Sequence, residues 1–167
     1  MASIINVDNI RAVGSSTTGV TINSSGQVTF PKIPYALVNV GTNANITPQT
    51  DVPFDTVLSS QGISWNTSTY QFTVPVSGLY QFSGAVRLNA DRAWAYWFVT
   101  DTSNNAVQNS KLVLSHGASG SSFTTASGSC TLSLSTGTNY KIRVSDNTGT
   151  AVAVQASQSW MDVILLG

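Results

Sequence analysis

The chain has 167 residues, and its seven Lys and Arg are balanced by seven acids, every one an Asp. With 24 Ser, 20 Thr and 13 Asn but no Glu, it is rich in side chains that compete with the helical backbone, which excludes a helical bundle or coiled coil. Its hydrophobic content of 41% suffices for a core and excludes a disordered chain. The neutral, scattered charge excludes a nucleic-acid binder, and no apolar run approaches the roughly 20 residues of a membrane-spanning helix. A single Cys leaves no intrachain disulfide and no multi-cysteine metal site. The start, Met1-Ala2-Ser3-Ile4-Ile5-Asn6, lacks the basic end and apolar stretch of a secretory signal. Folding in a cytoplasm is therefore expected.

Residues 1–34 read as an arm and residues 35–167 as one domain. In the arm, Ile5, Val7 and Ile10 are irregularly spaced apolar residues. Val20/Ile22 and Val28/Phe30 then alternate around Asn23-Ser24-Ser25-Gly26, which predicts a short β-hairpin. Such a hairpin has too little apolar surface to stand alone. The arm is therefore expected to dock on a sister chain or on another protein. Pro31-Lys32-Ile33-Pro34 stiffens the join.

The domain reads as strand, turn, strand. Tyr35-Ala36-Leu37-Val38-Asn39-Val40 comes first, and Val52-Pro53-Phe54 leads to a short element over residues 55–58. Tyr70, Phe72 and Val74 alternate on one face, then Tyr80, Phe82, Gly84, Val86 and Leu88 on another. Residues 94–99 are apolar on both faces, and residues 111–114 are short. Cys130, Leu132 and Leu134 alternate with hydroxyls, as Tyr140, Ile142 and Val144 do with Lys141, Arg143 and Ser145. Residues 152–154 and the closing run 161–166 complete a pattern expected of a sandwich or barrel.

A sheet exposed to water on one side needs only one apolar face per strand. Trp94, Tyr96 and Phe98 oppose Ala95, Trp97 and Val99, and Trp160, Ile164 and Leu166 oppose Met161, Val163 and Leu165. One face of each strand is expected to pack on the core and the other on a neighbouring copy. Tyr80 and Phe82 belong with these core and interface aromatics.

The stretch Phe54-Asp55-Thr56-Val57-Leu58, Trp65-Asn66 and residues 70–82, with Pro75-Val76-Ser77-Gly78 and Tyr80-Gln81-Phe82, resembles the globular head of complement C1q. That family lies within the tumour-necrosis-factor-like jelly rolls and closes on an apolar strand, as Val163-Ile164-Leu165-Leu166 does here. The resemblance implies an all-β, ten-strand antiparallel jelly-roll sandwich assembling as a homotrimer, with the two-faced strands lining the threefold axis. Met161-Asp162 departs from the family pattern, which has an aromatic, a small residue and Gly ahead of the final run. No collagen-like tract precedes the domain. The arm instead is similar to N-terminal pieces of tailed-phage virion proteins, in which hydroxyl-rich hairpins intertwine or dock on another virion component.

Catalytic chemistry finds no foothold. His116 is the only His and sits in a loop-like stretch without a Gly-x-Ser-x-Gly elbow nearby. Cys130 shares parity with Leu132 and reads as a buried, inert thiol. No cofactor or metal is expected; the nearest approach to calcium is Asp51 with Asp55, or Asp146 with Asn147, without EF-hand spacing. Asn89-Ala90-Asp91-Arg92-Ala93-Trp94 reads first as a turn into a core strand, with Arg92 paired to Asp91. Its other reading is a ligand loop in which Asp91, Arg92 and a loop-borne Trp65 hold a sugar.

The expected function is a non-enzymatic bacteriophage virion protein, a homotrimeric knob on the virion surface. Its arm (Ile5, Val7, Ile10, Val20, Ile22, Val28, Phe30) would join it to a capsid or tail protein as a capsid decoration or short tail-fibre tip. It would contact host-surface glycans at most, with no nucleic acid and no membrane insertion. The alternative is a carbohydrate-binding adhesin or secreted bacterial protein of the same fold.

Overall fold

The computed structural model describes residues 9–10, 20–30, 33–108, 110, 114–116 and 122–167. The chain divides into two units, Met1–Ile33 and Pro34–Gly167. In the first, β1 (Asn9–Ile10), β2 (Val20–Ile22) and β3 (Val28–Thr29) form a small antiparallel sheet in that order. The β2–β3 hairpin turns on Asn23, whose Oδ1 accepts the amides of Ser25 at 3.0 Å and Gln27 at 2.9 Å. Gly26 takes the left-handed φ of +76° that this turn requires. Phe30 falls beyond β3 and is exposed. Ile5 and Val7 lie outside the described residues.

The second unit is an antiparallel β sandwich with no α-helix among the described residues. Its strands are β4 (Tyr35–Asn39), β5 (Ala44–Ile46), β6 (Thr50–Asp51), β7 (Thr56–Gln61), β8 (Ser64–Asn66), β9 (Gln71–Thr73), β10 (Gly78–Leu88), β11 (Trp94–Asp101), β12 (Leu114–His116), β13 (Thr124–Leu134), β14 (Asn139–Asp146), β15 (Val152–Val154) and β16 (Trp160–Leu165). One sheet runs β5-β15-β10-β16-β4-β7, with β13 along the other edge of β10. The second runs β12-β11-β14-β9-β8, with β6 beside β14. The described residues form thirteen strands in this unit where ten are expected; the surplus comes from two- and three-residue pieces such as β5, β6 and β8. Such pieces bury too few side chains to print a period-two pattern in the sequence.

The long strands follow their alternation. Tyr80, Phe82, Val86 and Leu88 of β10 are buried, as are Tyr140, Ile142 and Val144 of β14 and Met161 and Val163 of β16. They meet Ala36, Val38, Phe54, Phe72, Trp97 and Leu132 in one continuous core. At the middle of β10, Gly84 faces Gly128 on one side and Met161 on the other.

Tyr70 departs from the expected alternation. It sits in the turn before β9 with φ of +56°, while Asn66 Oδ1 accepts the Ser68 and Thr69 amides. The turn chemistry of Asn66 overrides the strand pattern there. His116 belongs to β12 rather than to a loop, and its backbone is in register with Trp94. Of the expected strand at 111–114, residues 111–113 lie outside the described residues.

Candidate functional site

The broad outward face of the first sheet is built by β13, β10, β16 and β4 lying side by side. Inward-facing residues on these strands fill the core, so the alternate set must face out. On β10 that set is Leu79, Gln81, Ser83, Ala85 and Arg87; on β16 it is Trp160, Asp162 and Ile164, with Leu166 just past its end; on β4 it is Tyr35, Leu37 and Asn39. β13 adds a row of exposed hydroxyls, Thr125, Ser127, Ser129, Thr131 and Ser133. Trp160 is 41% exposed, Leu79 50% and Leu166 56%. These large apolar side chains stand among hydroxyls and amides rather than among charges.

Asp162 occupies the centre of this face. Register places it between Ser83 of β10 and Leu37 of β4. Burial pushes its carboxyl above the ordinary value, partly offset by the Val163 amide. Arg87 lies towards the rim, stacked 4.0 Å over the Phe123 ring and bonded to Gln158. Of the departure Met161-Asp162 in the sequence, Asp162 therefore falls at the middle of the surface while Met161 is buried in the core.

The expected interface aromatics separate into three groups. Tyr80, Phe82 and Trp97 are fully buried within the chain's own core and offer nothing to a second copy. Trp160, Ile164 and Leu166 lie on the outward face just described. Trp94, Tyr96 and Phe98 form a ladder on the opposite outer side of the sandwich, with ring centroids 5.7 and 5.5 Å apart. The two-faced strands β11 and β16 therefore do not share one surface, because they belong to different sheets. Beyond the residues paired with β12, the edge of β11 is met by Val107 and Ser110, where Val107 N and Ser110 Oγ donate to the Val99 carbonyl.

The proposed ligand loop does not converge. Arg92 Nε meets Asp146 Oδ2 at 2.5 Å, and its Nη2 donates to Thr150 Oγ1 at 3.2 Å. Its carboxylate partner is thus Asp146, while Asp91 offers it only a backbone carbonyl. Burial would raise the Asp146 carboxyl, but the Gly149 and Thr148 amides and Arg92 together hold it below its usual value. Trp65 lies in β8, stacked on Phe72 at 5.1 Å and donating to the Phe54 carbonyl at 3.1 Å. It is a core-edge residue, held by an indole N–H that needs a partner when half-buried.

The calcium candidates are engaged elsewhere. Asp51 pairs with Lys141 at 2.8 Å and lies 3.6 Å from Arg143. Asp55 accepts the Gly41 amide at 2.6 Å, and Asp146 is filled as described. Among the described residues no group of three His, Cys, Asp or Glu is placed to hold a metal. Burial pushes the Cys130 thiol up to about 11, so it stays protonated at neutral pH.

A comparison with protein families matches residues 37–162 to the C1q domain. Among solved structures, an Eiger TNF from S. frugiperda has a TM-score of 0.60 at 11% identity, covering 81% of this chain and 94% of that one. The globular domain of zebrafish complement 1qA protein has a TM-score of 0.52 at 20% identity, covering 80% and 98%. Murine APRIL has a TM-score of 0.59 at 12% identity, covering 81% and 100%. A comparison with curated proteins finds no match. At these identities the structural likeness concerns the fold.

Proposed function

Since the chain belongs to the C1q domain family, we propose that it is a non-enzymatic homotrimeric structural module of a bacteriophage particle. C1q and tumour-necrosis-factor-like domains are often trimeric modules and are typically non-enzymatic. The observation that carries the reading is the outward face of β13, β10, β16 and β4. It exposes Trp160, Leu79 and Leu166 on a surface with few charges, the composition of an interface core rather than of a solvated sheet. A ring of three uses two different patches of each copy, so this face would meet another part of the next chain.

The virion role rests on the arm. Its hairpin, with Val28 and Phe30 exposed, has too little surface to bury alone and supports docking on a capsid or tail protein. The knob would then decorate the virion surface or form a short fibre tip. A glycan array separates the two: selective binding favours host attachment, and its absence favours decoration. Light scattering on the purified chain tests the trimer. Three chains of 17.6 kDa are expected, and a clean monomer at micromolar concentration overturns the reading.

A further inference from the structure

We propose that Asp162 makes the assembly pH-sensitive, with acid strengthening the association of copies and neutral pH weakening it. The inference rests on the trimer reading and concerns its regulation. It starts from position. Asp162 sits at the middle of the candidate face, opposite Ser83 on β10 and Leu37 on β4. Gln81 and Ala85 flank it on β10, Tyr35 and Asn39 on β4, and Trp160 and Ile164 on its own strand.

None of these neighbours is a cation. Tyr35, the only titratable one, is bonded to Ser59 Oγ at 3.0 Å. Arg87 is the cation of β10, separated from the Asp162 row by Ala85 and held over Phe123 and against Gln158. A second copy seated on this face strips water from the carboxylate, and the face itself places no cation beside it. Burying an unpaired carboxylate is costly, and the group protonates instead. A closed trimer that buries the face takes this cost once per copy. The neutral acid also gains a donor. Asn39 Oδ1, diagonally across on β4, is a buried acceptor with no partner.

Burial in the single chain already raises this carboxyl, and a second copy raises it further. A group whose assembled pKa lies above its free value strengthens assembly below the free value. That contribution is lost as pH rises through the assembled value, by about tenfold per pH unit for each carboxyl. Asp146 is shifted the opposite way, so its pair with Arg92 persists at pH 4.5.

The test is sedimentation equilibrium of the full chain and of Asp162→Asn at pH 4.5 and 7.5. Subunit exchange between isotopically light and heavy chains is followed in parallel by native mass spectrometry. The full chain is expected to associate at least tenfold more tightly, or to exchange at least tenfold more slowly, at pH 4.5. Asp162→Asn is expected to be as tight at pH 7.5 as the parent is at pH 4.5. A parent trimer with equal affinity and exchange at both pH values overturns the switch and leaves the trimer standing, as does an Asp162→Asn trimer that keeps the parent's pH shift. A chain monomeric at both pH values overturns the trimer reading and the switch with it.

Discussion

Asp146 ends β14 with both carboxylate oxygens committed. Oδ1 accepts the Thr148 amide at 2.9 Å and the Gly149 amide at 2.8 Å, while Oδ2 takes Arg92. The side chain of Asp146 is fully buried, and that of Arg92 is 10% exposed. Asp146→Ala leaves the guanidinium buried without its partner, at a cost of about 3 kcal/mol. Urea unfolding at pH 7 measures it. Because the folded-state carboxyl is held low, this contribution is present above the unfolded value near 3.9. It fades as pH falls through the folded value, so the mutant's deficit is expected to shrink below about pH 4. The sequence places Asp91 next to Arg92, and adjacency favours that pair. The true partner lies 54 residues away and is chosen by the pairing of Ala95 with Asp146 across β11 and β14.

At the scale of elements, the β10–β16 pair shows how closely the strands approach. A Cβ at Gly84 would lie 2.6 Å from the Trp160 carbonyl oxygen and 2.7 Å from Met161 Cε. Gly84→Val forces β16 off β10 and is expected to cost about 3 kcal/mol, the upper range for overpacking. Its thermal midpoint checks this. Strands β10 and β14 were legible in the sequence because eight or more residues alternate, and β16 because it is a closing apolar run. Strands β5, β6 and β8 were not, since two or three residues carry no period. The two apolar faces of β11 were legible too, but their cause was not. Its outward ladder belongs to a different sheet from Trp160, and Val107 and Ser110 bond to its edge at Val99.

At the scale of the whole molecule, the buried core cluster among the described residues lies between Ala36 and Val163. The unit Pro34–Gly167 therefore carries the stability. A chain beginning at Pro34 is expected to melt within about 3 °C of the full chain and to keep the assembly face intact. Calorimetry and sedimentation of the shortened chain check both. A fall of 10 °C or more would place part of the stability in the arm.

The sequence by itself determined the all-β class, the inward residues of the long strands and the turn at Asn23. Each of these follows from local chemistry: period-two alternation, or an amide beside a glycine. Tertiary structure alone decided that Trp65 stacks on Phe72, that Arg92 belongs to Asp146, and that Trp94 and Trp160 face away from each other on separate sheets. It also decided that Asp162 sits at the centre of an open face. Alternation states that a side chain leaves the core, but long-range strand pairing decides which surface receives it.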